Sequence, residues 1–263
     1  MNKITYALAL GAGLALSLAS PNAQADPMVQ TLTPTPLLAS QFSSLYTPST
    51  TVLTAGYDFM NTPNAGVVES QVFTGNANTA AQGTYAYAYQ FGVNSAMDTS
   101  IQQLTSVNSA SMLFNATPVG TDFTQTGSNT YAYVVTKGQV GDINVPTAAL
   151  GNVVQTPSSI AWLPGSTTGS LTFQYLNPTT STGPLAAGAL SGTIVVISTS
   201  PFTQQFVSLQ NPEPQTLYPK AYSPTGGAID QVPAPEPATV LAWAGVVACV
   251  AVSRRFRRHR AAA

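Results

Sequence analysis

The sequence predicts a mainly β protein, an antiparallel β-sandwich set between two apolar ends. Three observations carry this. Several segments alternate large apolar residues with small or polar ones at a period of two, the repeat of a strand with one face buried. Clusters of Gly, Pro, Asn and Thr separate these segments, and no long stretch between them has a helical period. The longest apolar runs, 4–18 and 238–252, lie outside the strand-patterned region.

Taken in order, residues 1–25 have the pattern of a secretory signal peptide. Lys3 gives a positive start, Ile4 to Leu18 is an apolar run of mostly Ala, Leu and Gly, and Ala23-Gln24-Ala25 is a small-x-small cleavage site. Cleavage by signal peptidase after Ala25 leaves Asp26 first. Residues 26–49 carry Pro34, Pro36 and Pro48 among Thr and Ser, and are expected to be a loosely held lead-in. Residues 50–209 are expected to be the β-sandwich.

Within that span the clearest strand is Thr84 to Val93. Tyr85, Tyr87, Tyr89, Phe91 and Val93 fall on one face, and Thr84, Ala86, Ala88, Gln90 and Gly92 on the other. The alternation with alanine assigns the aromatic face to the core rather than to sugar stacking. Thr130 to Thr136 places Tyr131, Tyr133 and Val135 on one face, assigned to the core in the same way. Ser170 to Leu176 does so with Leu171, Phe173 and Tyr175. Thr193 to Ser198 is a continuous β-branched run, as in a strand buried on both faces. Val67–Phe73, Ser111–Asn115 and Gln204–Leu209 are weaker strands, and Ser100–Val107 fits strand and helix equally. Residues 210–232 read as an extended spacer, with seven prolines between Gln210 and Pro237 and a Gly226-Gly227 pair.

The exported part, about 206 residues, is long enough for one domain with a sizeable core or for two small ones. Only Lys137 and Lys220 oppose eight acids there, a net charge near −6 that Lys3 and the tail arginines hide in the whole-chain value of −1. Nucleic acid and anionic lipid are therefore poor partners. The sole cysteine, Cys249, and the sole histidine, His259, both lie in the C-terminal tail. The domain is thus free of disulfides, of Ser-His-Asp and Cys-His catalysis, and of zinc sites built on Cys or His. Carboxylates, hydroxyls and two lysines remain. Asp98, Asp122 and Asp142 lack the Asp-x-Asp spacing of a calcium loop, so no metal and no cofactor is expected. Acids this scarce also make a glycosidase pair a remote reading.

Residues 233–263 combine Pro235-Glu236-Pro237, an apolar run from Ala238 to Val252, and a cluster of Arg254, Arg255, Arg257, Arg258 and Arg260. The run is roughly 22 Å as a helix, short of the ~20 residues of a comfortable span. Ser253 and the arginine stems extend it by snorkelling. The arginines belong on the cytoplasmic side. A plain membrane anchor, or a buried helix with a basic end, would share these features. In its order of parts the segment resembles the PEP-CTERM sorting signal of bacterial exported proteins, recognised by exosortase, although the trailer from His259 to Ala263 departs from that pattern. The resemblance implies a single transmembrane sorting tail, held transiently in the inner membrane and processed near Pro235, Glu236 and Pro237. Arg254, Arg255, Arg257 and Arg258 would retain the end in the cytoplasm. Delivery would be to the cell surface or exopolysaccharide matrix of a Gram-negative-type bacterium.

A second, looser resemblance lies in the domain. GTYAYAYQFGVN, from Gly83 to Asn94, is similar to a Gly-x-Tyr-x-Tyr-x-Tyr strand common in exported domains that carry this tail. Ile160 to Gly165, followed by SLTFQY, is similar to their downstream Trp and Pro-Gly turn. This implies a β-sandwich and no particular chemistry. Trp162, beside Pro164-Gly165, is the one candidate glycan contact; a buried strand-end tryptophan is its competing reading. The expected function is a non-catalytic surface or matrix protein. A carbohydrate-binding module and a carboxylate-based glycan hydrolase are the alternatives.

Overall fold

A computed structural model describes residues 28–99, 102–123, 131–143, 154–164, 169–179, 181–211 and 217–225. The signal peptide with Ala23 and Ala25, the Pro235-Glu236-Pro237 motif and the arginine cluster lie outside the described residues. In chain order the elements are β1 (Gln30–Leu32), β2 (Pro34–Pro36), α1 (Ala39–Leu45), β3 (Tyr46–Pro48), β4 (Leu53–Phe59), β5 (Thr62–Gly75) and β6 (Tyr85–Val93). There follow β7 (Ser106–Val107), β8 (Ser109–Leu113), β9 (Ala132–Val135), β10 (Val154–Gln155), β11 (Ser159–Leu163) and β12 (Ser170–Gln174). The last are β13 (Leu185–Ala186), β14 (Leu190–Ser191), β15 (Thr193–Ser198), β16 (Phe202–Gln210) and β17 (Lys220–Pro224). The protein is mainly β, as its patterning predicts.

The strands form a six-stranded sheet, β1-β11-β12-β8-β16-β17, and a nine-stranded sheet in which β10, β14, β6, β15, β9 and β2 run side by side. In the larger sheet β5 pairs with β6, β4 and β3. Most pairs are antiparallel, but β2–β9 and β10–β14 are parallel, so the larger sheet is mixed and not purely antiparallel.

Strand β6 shows why the chain folds this way. Its large residues Tyr87, Tyr89, Phe91 and Val93 enter a core shared with the six-stranded sheet, whose Ile160, Trp162, Leu171 and Phe173 complete it. The rings of Tyr89 and Phe91 lie 5.7 and 5.3 Å from that of Phe173, and that of Tyr87 lies 5.5 Å from Phe114. The other face of β6 is buried as well. Ala86 and Ala88 join Phe73, Tyr133, Val135, Val195 and Ile197 in a second cluster, covered by Phe42 of α1 with Phe123 and Ile143. Alternation with alanine therefore marks a strand with two covered faces, the alanine side packing into the second cluster. Strand β15 is buried throughout, as its β-branched run predicts.

Three expectations are corrected. Tyr131 is not a core residue: the strand begins at Ala132 and Tyr131 is 50% exposed. Its neighbours Tyr133 and Val135 face the second cluster rather than the space between the sheets. The lead-in is not loose, since β1 pairs with β11 and β2 with β9, while Phe42 and Tyr46 stack in the second cluster. Pro34 and Pro36 are tolerated because β2 is a sheet edge, where a missing N–H leaves no rung empty. The spacer, too, contributes a strand, because β17 pairs with β16 from Phe202↔Pro224 to Phe206↔Lys220. The segment that fitted strand and helix equally supplies β7, paired with β13.

Candidate binding face

Along β16, Val207 and Leu209 point into the core, which leaves Phe202, Gln204, Phe206, Ser208 and Gln210 on the exposed face. Period two allows no other division once the two aliphatics are buried. The partner strand β17 sets Tyr222 opposite Gln204 and Lys220 opposite Phe206. The Phe202 and Tyr222 rings meet edge to face at 5.6 Å, and the Lys220 ammonium lies 5.2 Å from the centre of the Phe206 ring. Phe206 is nonetheless 59% exposed.

On the other side of β16 the same face continues in hydroxyls and amides. Ser208 stands opposite Ser111, and Ser111 opposite Thr172. The Ser111 and Thr172 hydroxyls are 2.9 Å apart, and the Ser109 hydroxyl donates to Gln210 Oε1 at 2.9 Å. Leu113 and Leu163 add exposed apolar side chains. The six strands of this sheet contain no carboxylate, and Lys220 is their one charge. The described acids lie elsewhere: Asp58 on β4, Glu69 on β5, and Asp98, Asp122 and Asp142 in connections. The sheet thus presents a hydroxyl- and amide-lined face with exposed rings, no carboxylate on its own strands and a single charge, Lys220.

The aromatic end of this face is anchored from beneath. The N–H of Tyr222 donates to Ser70 Oγ at 3.0 Å, and its carbonyl accepts from the Tyr89 hydroxyl at 2.9 Å. Both partners belong to the larger sheet. They satisfy the backbone edge of β17 that β16 does not.

Trp162, the sequence candidate for glycan contact, is not on this face. It is 1% exposed and points inward beside Ile160, since Ala161 and Leu163 take the outward positions of β11. Its indole N–H donates to the Phe114 carbonyl at 3.4 Å, and a Cβ on Gly169 would come within 2.9 Å of Nε1. The ring is a core residue and offers no platform for a sugar.

The carboxylates do not assemble into a catalytic or metal site. Among the described residues no three of His, Cys, Asp and Glu gather so as to hold a metal ion. Asp142 is engaged with Gln71, whose Nε2 donates to Asp142 Oδ2 and whose Oε1 accepts from the Asp142 N–H, both at 2.9 Å. Asp58 accepts from the Asn64 N–H at 2.7 Å and so ties the end of β4 to the start of β5, where Asn64 has φ 52°. A shallow hollow of about 430 Å³ beside it is lined by Asp58, Phe59, Met60, Asn61, Pro63 and Thr99. Burial pushes the Glu69 carboxyl up, partly offset by the Thr54 hydroxyl that donates to it.

Sequence reasoning missed Phe202, Phe206 and Lys220. The available signal was the run from Phe202 to Gln210, in which aromatic, amide and hydroxyl residues share one phase while Val207 and Leu209 share the other. No family model matches the chain, and no curated protein or solved structure matches it.

Proposed function

We propose that the chain is an exported, non-catalytic protein of the bacterial cell surface or extracellular matrix, delivered by an exosortase-type sorting system. The observation that carries this is the tail, in which Pro235-Glu236-Pro237, the apolar run 238–252 and the arginine cluster follow one another. The signal-peptide pattern of residues 1–25 agrees with it. The two facing sheets are read as a β-sandwich carried outward between these signals. The partners this implies are signal peptidase, exosortase, the inner membrane transiently, and exopolysaccharide at the destination. The domain supplies neither Cys nor His for catalysis, and its acids are few and scattered.

Intact mass of the protein recovered from a host with exosortase tests the reading. The expected species lacks residues 1–25 and most of the segment beyond Pro237. A species that keeps the arginine cluster at its final location would overturn it. The second reading, a carbohydrate-binding module in the same place, is favoured by the carboxylate-free face with exposed rings built on β16 and β17.

A further inference from the structure

We propose that the outward face of β16 and β17 binds a neutral polysaccharide chain, with Phe202 and Phe206 as ring platforms and Gln204, Ser208 and Gln210 as polar contacts. Export by the sorting tail decides only where such a polymer would be met; the binding itself does not depend on it.

The rings come first. Phe202 and Phe206 stand four residues apart on one strand, roughly 13 Å at the rise of an antiparallel strand. That separation suits an extended polymer touching both rings better than a single sugar touching one. A pyranose presents axial C–H groups on its faces, which the negative face of an aromatic ring attracts. Gln204 lies between the rings, and Ser208 and Gln210 continue the line past Phe206. Hydroxyls around the edge of each sugar would meet these amide and hydroxyl groups, which both donate and accept.

Charge selects the class of polymer. The six-stranded sheet carries no carboxylate, so a neutral chain of hydroxyls meets no fixed charge that must be desolvated, apart from Lys220. That ammonium already sits against the Phe206 ring. An acidic polysaccharide would be drawn to one lysine but opposed by a domain with eight acids and two lysines. A second copy of the chain fits less well. A stable dimer needs about 800 Å² per partner around a continuous apolar centre, whereas here the rings are spaced by amides and hydroxyls.

The test uses the full-length chain, kept in a detergent without a sugar headgroup on account of its apolar ends. Cellulose, a β-1,3-glucan, mannan and dextran serve as neutral probes, and alginate as the acidic one. We expect retention on at least one neutral polymer, unchanged by added salt. Phe206→Ala and Phe202→Ala should each weaken it by about tenfold, the loss expected of one anchoring side chain. Phe206→Tyr, which keeps a ring, should bind like the parent, and Tyr131→Ala, exposed outside the six-stranded sheet, should change nothing. Matching melting temperatures establish that the variants fold. Retention on no neutral polymer overturns the proposal. So does retention on alginate alone, parent-like binding by both alanine variants, or a concentration-dependent dimer that Phe206→Ala dissolves without any glycan binding. Failure here leaves the mass-based test of sorting untouched, and failure of sorting leaves this binding measurable.

Discussion

The Tyr89 hydroxyl donates to the backbone carbonyl of Tyr222 at 2.9 Å, across 133 residues of sequence. The bond joins the central strand of one sheet to the edge strand of the other. It is one of a set: Tyr87 donates to the Ser200 carbonyl at 2.7 Å, Tyr57 to that of Gly92 at 2.9 Å, and Tyr133 to that of Thr121. In a domain without disulfides and nearly without basic residues, buried phenols join serine, glutamine and asparagine side chains in supplying the long-range polar ties.

Tyr89→Phe should therefore destabilise the protein by about 1–3 kcal/mol, since it leaves the Tyr222 carbonyl without this donor while keeping the ring. Ser70→Ala removes the acceptor of the Tyr222 N–H and should cost a similar amount. Denaturant unfolding of both single variants and of the double checks this. Because both act on one residue's backbone, the double variant should lose less than the two singles together. Parent-like stability in Tyr89→Phe would show that the tie contributes nothing.

Alkaline pH should unfold the domain cooperatively. Burial raises the pKa of Tyr57, Tyr87, Tyr89 and Tyr175 above the ordinary phenol value. A neutral phenol with a raised folded pKa contributes its full stability below the unfolded value of about 10, and loses it as pH rises toward the folded value. Each such group lowers stability by about 1.4 kcal/mol per pH unit in that window. Tyrosinate absorbance followed beside circular dichroism should show the buried phenols ionising only as β structure is lost. Smooth, reversible ionisation of all tyrosines near pH 10 (the ordinary phenol value) with the fold intact would contradict the burial.

What was legible in the sequence follows the same physics. Strands β6, β12 and β15 were visible because their own residues decide their fate: the period-two aromatics of 85–93 and the β-branched run of 193–198 bury wherever they go. Strands β1, β2 and β17 were not, because Gln-Thr-Leu, Pro-Thr-Pro and Lys-Ala-Tyr-Ser-Pro carry no strand pattern of their own and become strands only through their partners, distant in sequence for β1 and β2. Trp162 illustrates the limit on sites. Its type and its Pro-Gly neighbour suit both a platform and a core, and only the phase set by Ile160 decides. The face of Phe202 and Phe206 was hidden for the converse reason. Its meaning lies in what neighbouring strands lack, the carboxylates, and that is a property of the assembled sheet.

The placement of Trp162 gives a direct optical check. In a Trp243→Phe chain, Trp162 is the sole tryptophan. Its emission should be blue-shifted and resist acrylamide, and neutral polysaccharides should leave it unchanged, since the proposed binding face lies on the other side of β11. Trp162→Ala should cost about 3–5 kcal/mol through the cavity it leaves. Red-shifted, freely quenched emission would return Trp162 to the surface.

The tail permits a test that separates retention from processing. The apolar run 238–252 is shorter than the ~20 residues of an easy span, so the charges behind it should matter more than behind a full-length one. Moving one arginine through the bilayer centre costs about 2.5–3.5 kcal/mol on insertion scales, and several together forbid outward slippage. Replacing Arg254, Arg255, Arg257 and Arg258 by Gln should let unprocessed chain escape or misinsert, with the β domain still folded. Glu236→Ala should instead keep the anchor and accumulate as an uncleaved membrane form. Fractionation and intact mass from a host with exosortase distinguish the two outcomes. If both variants are processed and delivered like the parent, residues 233–263 are not a sorting signal, and only the signal-peptide pattern is left to support export.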